Sequence, residues 1–373
     1  FDPRGVATSA PIDCLDDKQT DAFIAADASP DDAAEAARLT ALSAQFGASC
    51  QANSPNLVGH ISTRDVAKDM DILRQALGDQ KLAYLGKSYG TAIGSTYAEL
   101  FPQNVGRLVL DGAIDPALDL TEMGKGQALG FELALSRFFA ACPTLDGCPF
   151  PKDAAAASAK LAGLLDRIDA SPLPAQPGRP LTQALAVLGI VGNLYSPDSW
   201  PELAYALSEA FDGDGNALLN SADYYADRNT DGTYNSNAND ALYAVNCYDR
   251  PATPGATETA ALASAWEKEA PHFGAYLAWG NLPCATWPAH SDVPPHAVAA
   301  AGAPPILVVG TRYDPATPVG WAKALAGQLD SGVLLEWIGD GHTAYTQGSG
   351  CVDQAVDAFL LDGVPPKDGA VCR

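Results

Sequence analysis

Between residues 63 and 112 the sequence alternates helical and extended patterns with little chain left over for loops, and this restricts the fold more than any other feature. In "TRDVAKDMDILRQAL" (63–77), Val66, Met70, Leu73 and Leu77 recur at helical spacing, with Thr63 as N-cap and Gly78 as stop signal. A short apolar run from Leu82 to Leu85 follows, then the turn Gly86-Lys87-Ser88-Tyr89-Gly90, then a helical pattern from Thr91 to Phe101 closed by Pro102. "RLVLDG" (107–112) reads as another buried strand. Two strands separated by a helix, with short connections, pair in parallel through a crossover. The fold class is therefore α/β with a mostly parallel sheet.

From about residue 119 to 245 the pattern is helical and Ala-rich, broken by the Pro-rich "SPLPAQPGRP" (171–180) and a polar stretch (211–240). Strand signals return at "PPILVVG" (304–310) and "GVLLEWIG" (332–339). The simplest organisation is a sheet domain interrupted by a helical insertion. Residues 1–118 are its first part, 119–245 the insertion, 246–300 the return and linker, and 301–373 the C-terminal part of the sheet domain. No internal repeat is visible.

A formal net charge of -23 opposes binding to phosphate backbones and anionic membranes, which excludes nucleic acid as a partner; the acid reads as a solvated surface. No apolar run reaches the roughly 18 residues of a membrane span. Cysteines stand at 14, 50, 142, 148, 247, 284, 351 and 372 with no C-x-x-C pair, which fits disulfides in an exported protein. Eight cysteines allow 105 connectivities. Locality favours sequential pairing: Cys142 and Cys148 bracket the turn "PTLDG", and Cys351 and Cys372 flank a helical pattern with a Pro-Gly-rich return. The chain opens on "FDPRGVATSAP", which is not a signal peptide and reads as a chain whose beginning lies elsewhere. Asp212, Asp214, Asn216 and Asp223 imitate part of a calcium loop, but Ala217 stands where glycine belongs and the final ligand is not Glu, so a solvated loop is expected and no metal.

Chemistry enters at Gly86-x-Ser88-x-Gly90. In a nucleophile elbow the serine occupies a tight, strained strand-to-helix turn, and flanking glycines let strand and helix approach each other. Gly86 and Gly90 take those places, and Gly94 lets the helix pack close to the sheet. An elbow serine needs a base oriented by an acid, in the chain order serine, acid, histidine. Of five histidines, His60 precedes the elbow, while His272, His290 and His296 follow no strand. His342, in "GDGHTAY" after a strand, is the one in the right place. Asp314, in "TRYDPATP" after "ILVVG", is the favoured acid, and Asp111, ending "RLVLDG", is its competitor.

"FDPRGVATSAP", "LGKSYGTAIGSTYAELFPQNVGRLVLDGAIDP", "VNCYDR", "ILVVGTRYDPATP" and "GDGHTAYTQGSGC" together resemble the secreted tripeptidyl aminopeptidases of actinobacteria, in the α/β-hydrolase group that includes the prolyl aminopeptidases. The likeness runs from Phe1 to the C-terminus and is thinnest between about 150 and 240. It implies an α/β-hydrolase core with a helical cap, and release of short peptides, tripeptides above all, from free N-termini outside the cell. By position Ser88 is the nucleophile, His342 the general base and acid, Asp314 the orienting carboxylate, and the Tyr89 N–H an oxyanion donor. A His-Gly-Gly-Pro-Gly type loop before the "FDPRGV" strand supplies the second donor in that family. The first strands and that loop are missing from this chain, so its own N-terminal fragment is an expected partner. No cofactor is implied. Holding a substrate ammonium calls for carboxylates, for which Glu122, Glu132 and Asp249 are the candidates. An esterase or lipase on the same fold, or a non-catalytic envelope binding protein, are the rival readings.

Overall fold

Each of the four extended runs becomes a strand. In the computed structural model, which describes residues 1–251 and 253–373, β1 (Leu82–Lys87) and β2 (Val105–Asp111) lie before the helical region. Within it a two-stranded antiparallel ribbon forms from β3 (Leu173–Gln176) and β4 (Arg179–Leu181), and β5 (Ile306–Tyr313), β6 (Gly332–Asp340) and β7 (Ala370–Cys372) follow. The main sheet has the order β1-β2-β5-β6-β7, every pair parallel. The α/β class read from the sequence is therefore the observed one. The chain divides into a sheet unit, His60–Gly130 with Ser291–Arg373, and a helical unit, Phe1–Gly59 with Phe131–His290.

In the sheet unit, β2 and β5 are covered on both faces. Leu108, Leu110, Ile306 and Val308 pack with Val66, Met70, Ile93, Tyr97 and Leu325 from helices Thr63–Leu77, Tyr89–Leu100 and Val319–Gln328. Val109, Leu307 and Val309 point the other way and pack with Leu335, Val352, Val356 and Phe359. Alternate residues of one strand thus enter different cores, which is why these strands read as continuous apolar runs rather than as an alternation. Helix Thr63–Leu77 is capped by Ser62, whose hydroxyl accepts from the Asp65 N–H, and not by Thr63; Gly78 ends it at φ 81°. Strand β7 went unread because three residues cannot display a period of two. It pairs with β6 and is tied down by the Cys351–Cys372 disulfide.

The helical unit takes in residues 1–59, which the sequence reading grouped with the sheet. The reason is a set of long-range ties within that unit. Arg228 donates to both oxygens of Asp21 at 2.6 and 2.9 Å. The Asn237 amide donates to the Gly5 and Ile12 carbonyls, and Asp240 accepts from the Cys14 N–H. Phe23 stacks on Phe46 at 4.9 Å, and Tyr243 meets both rings edge-on at 5.5 and 5.3 Å. Phe1 to Pro11 form no strand of the sheet; the segment folds on itself through bridges Gly5–Pro11 and Val6–Ser9. The four disulfides are Cys14–Cys50, Cys142–Cys148, Cys247–Cys284 and Cys351–Cys372, the sequential pattern. Such a set belongs to an oxidising compartment. Residues 211–240 are not simply a solvated loop: helix Asn216–Tyr225 runs through them, and buried Asp223 faces Arg179 at 2.6 Å. Among the described residues, no helix is long and apolar enough to cross a membrane.

Candidate active site

Ser88 sits between β1 and the helix Tyr89–Leu100 at φ 54°, ψ -122°. A non-glycine residue there is strained, and strain of this kind needs surrounding structure to hold it. Its N–H extends the β1–β2 ladder, donating to the Asp111 carbonyl at 2.9 Å, while its own carbonyl accepts from the Thr91 N–H and hydroxyl. The turn is tight enough that a Cβ on Gly86 would collide with the Gly90 carbonyl. A Cβ on Gly94 would stand 2.5 Å from Leu110 Cδ2, so the small residue sets how closely the helix meets the sheet. The helix begins at Tyr89, two residues earlier than its pattern suggested, which puts the Tyr89 N–H in the first turn, where amides have no intrahelical acceptor.

Asp314 follows β5 and His342 follows β6. The imidazole Nδ1 lies 2.9 and 3.0 Å from the two carboxylate oxygens of Asp314. An ionised carboxylate only accepts, so Nδ1 carries the proton and Nε2 of the neutral ring is the basic nitrogen. Asp314 is 1% exposed and its charge is held by four further donors: the Ala316, Thr317 and Thr343 N–H groups and the Thr317 hydroxyl. Thr317 was missed at the sequence level: Asp314-Pro315 announces a turn, but nothing in it says that the hydroxyl at i+3 bonds the carboxylate. The competitor Asp111 does not take the imidazole; its carboxylate accepts from the Ala344 and Tyr345 N–H groups at 2.9 Å each. Ser88, Asp314 and His342 thus all stand at carboxyl ends of parallel strands in one sheet, the rim where ligands of such sheets bind.

The three acids proposed for a substrate ammonium fall into different settings. Glu122 forms a reciprocal cap with Asp119 at the start of helix Leu120–Ala141. In the helical unit, both oxygens of Glu132 serve His272, through its N–H at 3.1 Å and Nδ1 at 2.8 Å. Asp249 ends helix Ala238–Asp249. Glu122 and Glu132 therefore carry structural tasks: the first is announced by the Asp119-x-x-Glu122 capping pattern, the second by no local pattern, since its partner lies 140 residues away.

His272 is 6% exposed, and its Nε2 faces the Ser158 carbonyl at 3.1 Å. An acceptor at each nitrogen favours the doubly protonated ring. Burial opposes that charge, but the hydrogen bond and charge of Glu132 prevail and its pKa is raised. A raised histidine pKa stabilises the fold fully below the ordinary value of about 6.5 and loses that contribution as pH rises through the folded value. Chemical denaturation of His272→Gln should therefore show a stability loss at pH 6 that shrinks at pH 9; an equal loss at both would refute the charged state.

A five-stranded parallel sheet with a strained serine on its strand-to-helix turn, and an Asp–His pair on later strand ends, defines the class of α/β-fold serine hydrolases. A family model described as TAP-like protein matches residues 270–372. Serine protease Hip1 of Mycobacterium tuberculosis is 40% identical over all of this chain and 74% of its own length. Carboxylesterase B of the same species is 36% identical, covering 100% of this chain and 72% of the relative, and tripeptidyl aminopeptidase of Streptomyces lividans is 29% identical, covering 100% and 69%. The chain belongs to the TAP-like family of α/β-hydrolases.

Proposed function

We propose that the protein is an extracellular serine exopeptidase that releases short peptides, tripeptides above all, from free N-termini. The observation that carries this reading is the Asp314–His342 pair, at 2.9 Å, on the sheet rim that also holds the strained Ser88. The likeness to the Streptomyces tripeptidyl aminopeptidase over the whole chain supports the substrate class.

In this reading the Ser88 hydroxyl attacks the carbonyl carbon of the scissile peptide while His342 Nε2 takes its proton. The tetrahedral oxyanion is met by the Tyr89 N–H at the helix start, and a second donor falls to a loop of the His-Gly-Gly-Pro-Gly type, a sequence not found in residues 1–373. His342 then gives its proton to the leaving amine, and water, activated by the same nitrogen, frees the acyl group from Ser88. Asp314 keeps the imidazole in the productive tautomer and offsets its transient positive charge. Of the carboxylates expected to hold a substrate ammonium, Glu122 already caps a helix and Glu132 already holds His272.

A second reading, a carboxylesterase, is favoured by the 36% identity to carboxylesterase B. The triad does not choose between ester and amide. Turnover of a tripeptidyl anilide, its N-acetylated form and a simple aryl ester separates the two. The exopeptidase reading expects cleavage of the free anilide and at least a hundredfold loss on acetylation; preference for the ester with no effect of acetylation assigns the esterase instead. A fluorophosphonate probe that leaves Ser88 unlabelled would point to a non-catalytic binding protein.

A further inference from the structure

The segment that carries His342 is strained and has to be held in place. Thr343 and Thr346, both β-branched, adopt φ 67° and 64°, a region such residues avoid. Asp314 holds the Thr343 N–H, and the Thr311 hydroxyl holds the Thr343 carbonyl. Past that point the ties come from the other side of the sheet. The Ala344 and Tyr345 N–H groups donate to Asp111 at the end of β2. The Tyr345 carbonyl accepts from Lys87 Nζ at 2.6 Å, with the Thr346 hydroxyl at 3.3 Å. Lys87 is the residue before Ser88, and the Asp111 carbonyl accepts the Ser88 N–H. Asp111 is therefore bonded through its backbone to the serine turn and through its side chain to the histidine loop.

We propose that Asp111, with Lys87, is a positioning residue that fixes the distance between the Ser88 turn and the His342 loop. The inference rests on the proposed roles of Ser88 and His342 and goes beyond them, since Asp111 touches neither reacting group by its carboxylate. A buried carboxylate holding two amides of a strained loop is worth its desolvation only if the loop must stay where it is.

The same burial gives the device a signature. Desolvation pushes the Asp111 carboxyl up to about 6; the Tyr345 and Ala344 amides and Lys87 pull it down, and Asp314 pushes it further up. Between pH 7 and 5 Asp111 takes up a proton and its grip on the two amides weakens. The fold responds in the opposite sense. A carboxyl raised in the folded state binds protons more tightly there than in the unfolded chain, so its contribution to stability grows as pH falls from about 7 to 5. Turnover falls over a range in which Asp111 itself stabilises the fold, which a purely structural residue would not do.

The test measures kcat and KM for a tripeptidyl anilide from pH 5 to 9 in wild type, Asp111→Asn and Lys87→Met. Expected in Asp111→Asn is a kcat lowered at least tenfold with KM within twofold, and an acid limb of kcat that is one ionisation shorter than in wild type. In a Ser88→Ala background, the backbone amide resonances of Ala344 and Tyr345 should titrate with a midpoint near 6 and cease to do so when Asp111→Asn is added. Should Asp111→Asn fail to fold, Lys87→Met, which leaves the buried carboxylate in place, is expected to lower kcat with KM unchanged. Wild-type kcat with an unshortened acid limb in Asp111→Asn, or amides that do not titrate, overturns the proposal while leaving the hydrolase reading intact. A wild-type enzyme that neither turns over substrate nor takes the fluorophosphonate overturns both.

Discussion

Ser88→Ala is expected to lose turnover by roughly 10⁶-fold and all labelling by a fluorophosphonate, with little change in stability. A serine at a helix N-cap ordinarily contributes about 1 kcal/mol through its side-chain hydrogen bond. Ser88 makes no such bond, so its hydroxyl is spared from holding the helix, and alanine retains the same Cβ at φ 54°. Ser88→Gly is equally inactive but removes the clash that a side chain suffers at positive φ. It should be more stable than Ser88→Ala by about 1 kcal/mol, the lower end of the range for backbone strain of this kind. Denaturation of the two inactive variants side by side isolates the strain. Retained labelling in Ser88→Ala would dismiss the nucleophile, and a glycine variant less stable than the alanine one would dismiss the strain.

Asp314→Asn should reduce kcat by about 10⁴ and also destabilise the fold by about 1–3 kcal/mol. Six hydrogen-bond contacts converge on the two oxygens of this buried carboxylate: His342 Nδ1 with each, the Ala316 and Thr317 N–H groups with Oδ1, and the Thr317 hydroxyl and Thr343 N–H with Oδ2. An amide has one acceptor where the carboxylate has two. If its oxygen keeps the Ala316 and Thr317 N–H groups, its NH₂ opposes the Thr343 N–H and donates to His342 Nδ1. The imidazole proton then moves to Nε2, and the nitrogen that should accept from Ser88 no longer can. The loss should fall on kcat and on the rate of probe labelling alike, since both need the base. Asp111→Asn, by contrast, should leave the tautomer intact, and a pH titration of the imidazole resonances distinguishes the two variants.

The strand ends were readable and their neighbours were not. "GKSYG", Asp314 and His342 each follow an apolar run that becomes β1, β5 or β6, and glycine spacing and chain order are properties of the sequence itself. Locality favoured the sequential cysteine pairing, most directly for Cys142 with Cys148, and that is the pattern observed. The turn at Asp314-Pro315 is legible, but the bond from the Thr317 hydroxyl to the carboxylate is not. Strand β7 and the ribbon of β3 and β4 were invisible, the first for its three residues and the second for lying in a Pro-rich stretch that reads as a breaker. The grouping of residues 1–59 with the helical unit depends on pairs such as Asp21 with Arg228, separated by 207 residues, for which no local signal exists.

By itself, then, the sequence determined the parallel α/β architecture, the strand-to-helix turn at Ser88, the candidate base and a choice of two strand-end acids, because each depends on periodicity and spacing along short segments. Only the tertiary structure decided which of two strand-end aspartates faces the imidazole. Asp111 and Asp314 both close an apolar strand, and what separates them is strand order. β5 stands next to β6 and delivers Asp314 to the His342 ring, whereas β2, one place further off, reaches only the backbone of the loop beyond it. Sheet register is a long-range property, set by which faces bury together, and no residue spacing within either strand encodes it.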